Sequence, residues 1–122
     1  MTLEELILHS QQERCFGKCK VPELKKPIYH KDTLVGFYAP LKRQGELCIG
    51  FLYIGRPYRR KGIAYNFVKQ WFQEHPNSNF YAININSINL ALKVGLVQGR
   101  IDGKGNSVFV TKYYKNLKNT TT

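Results

Sequence analysis

The sequence predicts an α+β domain: a mixed, mostly antiparallel sheet flanked by helices. Three observations carry this. Apolar runs at 27–30, 33–38 and 46–54 follow one another across two tight turns, Lys31-Asp32 and Arg43-Gln44-Gly45, the pattern of an antiparallel meander. Ile63, Ala64, Phe67, Val68, Trp71 and Phe72 then recur at helical spacing, with Asn66, Lys69, Gln70, Gln73 and Glu74 on the opposite face. A short strand, a second helix and two more strands complete the chain. Its 122 residues allow one domain with one core, expected over 1–114, with a polar, frayed tail over 115–122.

In order, Thr2-Leu3-Glu4-Glu5 reads as a capping box, with Thr2 as N-cap and Glu5 at the third helical position. Leu3, Leu6, Ile7 and Ser10 give the first helix one face through about Arg14. Residues 15–26 contain Gly17 and Pro22, hold no sustained period and read as a loop. The run 46–54 is apolar almost throughout, as in a strand buried on both faces, and Gly50 marks a bulge or a close backbone approach. Pro76 stops the central helix. Residues 80–83 are a short strand, 87–94 a helix ending at Gly95, and 96–101 and 107–114 are strands joined by a Gly-rich turn.

The net charge is +11, and the excess is spread from residue 15 onward rather than held in a tail. An anionic partner is implied: a phosphorylated cofactor, a nucleic acid, or both. Cys15, Cys19 and Cys48 make no even disulfide framework, and no second Cys or His pair completes a metal site, so none is expected. The opening Met-Thr-Leu-Glu-Glu is acidic where a signal peptide is basic, and no long apolar run follows. A soluble cytoplasmic protein with no membrane partner is expected.

The chemistry centres on residues 52–64, LYIGRPYRRKGIA: a strand, a basic Gly-containing turn and a helix start. Such a turn gathers unpaired N–H groups ahead of a positive helix end, and Arg59, Arg60 and Lys61 add full charges. The site therefore suits a diphosphate, which Gly62 would let close to the backbone. Arg59-x-x-Gly62-x-Ala64 resembles the R/Q-x-x-G-x-G/A loop of the GNAT superfamily of acyl-CoA N-acyltransferases. The flanks agree: Leu52-Tyr53-Ile54 precedes the loop as the family's L-x-V strand does. Asn84-x-x-Ser87 and Gly95-Leu96 then stand where the family has N-x-x-S/A and G-F. The likeness covers roughly residues 27–113.

The resemblance implies a GNAT-like acyltransferase fold lacking the usual first strand, and acetyl-CoA or another acyl-CoA as co-substrate. It implies that Arg59, Arg60, Lys61, Gly62, Ile63 and Ala64 hold the pyrophosphate. Leu52, Tyr53 and Ile54 would pair with the pantetheine arm, and Asn84 and Ser87 would contact it or cap a helix. The catalytic groups depart from the pattern. The position of the family's frequent acid, seven residues after Asn84, is Ala91. The frequent carboxylate position is Cys48, which leaves Glu46 as candidate base. Three function classes follow: an N-acetyltransferase acting by direct attack of an amine; a catalytically degenerate GNAT-like module binding a protein or nucleic acid; and a basic nucleic-acid-binding domain. The expected partner is an amine acceptor, anionic or nucleic-acid-linked, with a homodimer allowed. Lys18, Lys20, Lys25 and Lys26 are the cations left over for an anionic acceptor.

Overall fold

The computed structural model describes residues 1–13, 25–43, 45–82, 85–103 and 105–111. Helix α1 spans Leu3–Gln12 and starts on the predicted capping box: the Glu5 N–H donates to Thr2 Oγ1 at 3.1 Å and the Thr2 N–H to Glu5 Oε1 at 3.2 Å. Strands β1 (Lys26–His30), β2 (Thr33–Arg43) and β3 (Glu46–Ile54) form the expected meander. Helix α2 (Ile63–Glu74), strand β4 (Asn79–Ala82), helix α3 (Ile85–Val94), and strands β5 (Val97–Ile101) and β6 (Ser107–Val110) follow.

The six strands lie in the order β1-β2-β3-β4-β6-β5, and only β3 and β4 run parallel. A parallel neighbour requires a crossover, and α2 supplies it. Ile49, Val68, Trp71, Phe72, Phe80, Ala82, Ala91, Leu96 and Phe109 form the core between the sheet and helices α2 and α3. On the other face α1 packs through Leu6 onto Phe37 and Tyr53.

Several boundaries differ from expectation, among them two that shift by more than a single residue. Strand β2 continues past Tyr38 to Arg43, through Pro40. The last β1–β2 pair is Lys26↔Tyr38, so Pro40 lies beyond it and costs that ladder no hydrogen bond. Helix α3 begins at Ile85, so Ser87 is inside its first turn and is not its cap. Among the described residues no strand precedes α1. The readings of residues 14–24, of Asn84 and of the segment from 112 onward fall outside the described residues.

Candidate functional site

Strand β3 changes character halfway. On β2 the paired residues step from Phe37 to Ala39 while on β3 they step from Tyr53 to Gly50, so β3 carries one extra residue, and Phe51 stands there at φ +52°. This bulge resets the alternation. Leu47, Ile49 and Leu52 face the α2 side, whereas Phe51 and Tyr53 face α1. The parallel ladder with β4 consists of Cys48↔Asn79 and Ile49↔Phe80 and ends at the bulge. Beyond it β3 stays paired with β2, through Phe37↔Tyr53 and Gly36↔Ile54, while Tyr81 and Ala82 pair with β6. Among the described residues no β3–β4 pair follows Ile49↔Phe80, so the two parallel strands part at the bulge.

Directly after the parting comes the basic loop. A 3-10 turn, Arg56–Tyr58, is followed by Arg59 in an extended conformation and Arg60 at φ +64°. Gly62 occupies the left-handed region at φ +75°, ψ +10°, where a side chain would be strained, and serves as N-cap of α2. The first bond of the helix runs from the Asn66 N–H to the Gly62 carbonyl at 2.9 Å. No side-chain cap bond is made at this end and no acidic residue stands in its first turn, so no carboxylate there offsets the positive end of the helix dipole. Arg60, Lys61 and Gly62 are exposed, Ile63 is buried and Ala64 half-buried. The result is an exposed helix start with the basic residues Arg60 and Lys61 directly ahead of it.

The structure places the remaining expected residues less uniformly. Leu52 is half-buried on the α2 side; the side chains of Tyr53 and Ile54 are buried on opposite faces. Ser87 is half-buried in α3. Arg59 turns back toward α1: its Nε donates to the Ile54 carbonyl at 2.8 Å and its Nη2 to Glu13 Oε2 at 2.9 Å. Glu46 sits at the start of β3, before the two parallel pairs, and accepts a hydrogen bond from Asn79 Nδ2. At about 3.3 Å per residue it stands roughly 16 Å from the bulge. Ala91 is buried in the core. Tyr81 accepts a hydrogen bond from Arg100 Nη2 at 2.9 Å, and Tyr53 donates one to Glu13.

Glu13 is the residue that sequence reasoning missed. Its carboxylate gathers Tyr53, Arg56 and Arg59. Burial pulls its pKa up, but hydrogen bonds from Tyr53 and Arg59, the charge of Arg59 and the hydrogen bond from Arg56 outweigh that and hold it below its ordinary value. One signal was available: an acid at a helix C-terminus opposes the dipole and needs a partner elsewhere.

Among the described residues no cluster of His, Cys, Asp or Glu could hold a metal ion, and no helix is long and apolar enough to cross a membrane. No protein-family model and no curated protein matches the chain. Solved structures do. The PaiA N-acetyltransferase of Thermoplasma acidophilum, in complex with coenzyme A, matches with a TM-score of 0.54 at 18% identity, over 89% of this chain and 68% of that one. The ribosomal-protein-S18-alanine N-acetyltransferase of Escherichia coli matches at 0.48 and 11% identity, over 90% and 86%. The microcin C7 self-immunity acetyltransferase, in complex with acetyl-CoA and AMP, matches at 0.48 and 18%, over 87% and 65%. At such identities the likeness is one of fold.

Proposed function

From the premise that this chain has the GNAT fold, we propose that it is an acyl-CoA-dependent N-acyltransferase, moving an acetyl group from acetyl-CoA to an amine. The observation that carries the reading is the parting of β3 from β4 at the Phe51 bulge, immediately ahead of an uncapped helix start. A strand-like pantetheine arm suits the first, by main-chain pairing to residues 52–54. A diphosphate suits the second, cradled by the backbone of Arg60, Lys61, Gly62, Ile63 and Ala64. The two features are consecutive in the chain, as they would be for a ligand with a diphosphate at one end of an extended arm.

In this reading the amine nitrogen attacks the thioester carbonyl carbon. A C–N bond forms, the C–S bond breaks, and the leaving thiolate takes up a proton. A β3 backbone N–H past the bulge meets the developing oxyanion. Glu46 is not assigned the base: a base must come within about 3 Å of the proton it removes, directly or through one water, and Glu46 clamps the far end of the strand pair. Asn84 and Ser87 remain proposed contacts to the arm, at the start of α3. The acceptor's identity, an anionic or nucleic-acid-linked amine included, rests on charge alone.

A second reading, a module that binds an acyl-CoA or a protein without turning it over, draws on Ala91. The position where the resemblance expects a phenol is filled by a methyl group packed in the core.

The test is calorimetric titration of coenzyme A and acetyl-CoA into the parent chain and Gly62→Val. A bulky residue at φ +75° both strains and fills the cradle, so affinity should drop about tenfold or more. Equal affinity in the two proteins, or none in the parent, removes the reading. Release of free thiol from acetyl-CoA across a panel of amines then separates enzyme from binding module.

A further inference from the structure

Helix α1 closes on a carboxylate at its C-cap, the negative end of its dipole. What holds Glu13 there is a set of donors from three other places in the chain. Arg59 Nη2 reaches Oε2 at 2.9 Å; Arg56 reaches Oε1 through Nη2 at 3.1 Å and Nε at 3.2 Å; and the Tyr53 hydroxyl donates to Oε2. Arg59 is fixed twice more, by its Nε bond to the Ile54 carbonyl at 2.8 Å and by its Cζ lying 5.3 Å from the Tyr53 ring centroid. The Glu13 side chain is 16% exposed and that of Arg59 39%, so this pair is better shielded from solvent than the Arg56 pair, where the Arg56 side chain is 79% exposed.

The loop needs such an anchor. The residue after Arg59 takes φ +64° without being glycine, a strained conformation that persists only where its surroundings impose it. Upstream, the 3-10 turn buries no residue and is held through the Arg56 side chain on Glu13, and downstream α2 is anchored by its buried face. Glu13 joins the first of these anchors to Arg59, the residue next to the strained one.

We infer that Glu13 is a positioning residue for the anion cradle. By bracing Arg59 and Arg56 it presets the backbone of residues 60–63, and its removal weakens anion binding although it does not itself face the anion. The inference rests on the acyl-CoA reading only for the identity of that anion. It also reassigns Arg59: the guanidinium braces the loop instead of ligating phosphate. The opposite arrangement, Arg59 as a phosphate ligand for which Glu13 competes, predicts the opposite sign, because removing Glu13 would then release a cation to the ligand.

The full-length parent, Glu13→Gln, Glu13→Asp, Arg59→Gln and the Glu13→Gln/Arg59→Gln double variant decide between these. Amide hydrogen exchange is read in the ligand-free chains, and coenzyme A affinity by calorimetry. Expected are faster exchange over residues 60–63 in Glu13→Gln, with the amides of the last two turns of α2 unchanged, and coenzyme A affinity down about tenfold. Glu13→Asp should recover part of both, and the double variant should be no weaker than either single one. Tighter coenzyme A binding in Glu13→Gln, or unchanged exchange over 60–63, overturns the inference. Should Glu13→Gln fail to fold, Glu13→Asp against Arg59→Gln gives the same comparison. The two readings fail separately. Faster loop exchange with no coenzyme A binding in the parent sinks the cofactor reading and leaves the brace. Unchanged exchange with normal binding does the reverse.

Discussion

Gly36 faces Ile54 across the β2–β3 ladder, and a Cβ at that position would press into the Tyr53 carbonyl oxygen. The close approach is backbone against backbone, so no side-chain rotation relieves it. Gly36→Ala should therefore cost about 1–3 kcal/mol, the range for overpacking a tight site, read as a lower urea midpoint at unchanged slope. An unchanged midpoint would mean that β2 and β3 separate there without cost. Ala91 poses the converse question. It is fully buried against the α2–α3 core, so Ala91→Tyr does not simply restore a missing acid. It should destabilise by about 1–3 kcal/mol on the same grounds and give no gain in acetyl transfer; a gain in rate with stability intact would show that the core opens toward the thioester.

At the scale of elements, β3 and β4 are joined by two parallel pairs and by the side-chain bond from Asn79 to Glu46. Asn79 is almost wholly buried. Asn79→Ala strips a donor from a half-buried carboxylate and should cost about 1–3 kcal/mol. Glu46→Gln keeps an acceptor for Asn79 and should cost less than about 1 kcal/mol, with little effect on coenzyme A affinity. Denaturant melts of the two variants check the order, and a larger loss in Glu46→Gln would mean that the charge itself matters at that strand end. What could be read beforehand follows the same division. Helix α2 was legible because Ile63, Val68, Trp71 and Phe72 recur on one face and bury as that pattern demands. The loop was legible because Gly62 and its basic neighbours are a local signal. A bulge in β3 was legible from Gly50, which borders the one observed, but its positive φ at Phe51 was not, since that leaves no mark in composition. Nor was the Glu13 brace, whose partners lie 40 to 46 residues away in sequence. Long-range pairing of single charges has no period to detect.

At the scale of the whole molecule, +11 charges on 122 residues repel one another in the folded state. Salt within the Debye regime screens that repulsion, so thermal stability should rise between about 0.01 and 0.15 M salt, whereas coenzyme A affinity should fall over the same range because its attraction is screened too. Opposite slopes are the expectation, and parallel ones would separate the basic charge from the ligand. Acid adds a second term with a definite sign. Glu13 has a folded pKa held below its ordinary value of 4.5, burial opposing and the Tyr53, Arg59 and Arg56 interactions prevailing. Its contribution to stability is therefore complete above that ordinary value and is lost as pH falls through the lower, folded one. Protonation also removes the negative partner of Arg56 and Arg59, leaving two neighbouring guanidinium groups on a surface that is gaining positive charge. Acid unfolding should accordingly begin below about pH 4.5 and start at the loop. Glu13→Gln should be less stable than the parent at neutral pH, and the gap should close on acidification. A gap that stays constant from neutral pH down to about pH 3 would mean that the Glu13 charge contributes nothing, and that hydrogen bonding alone holds α1 to the cradle.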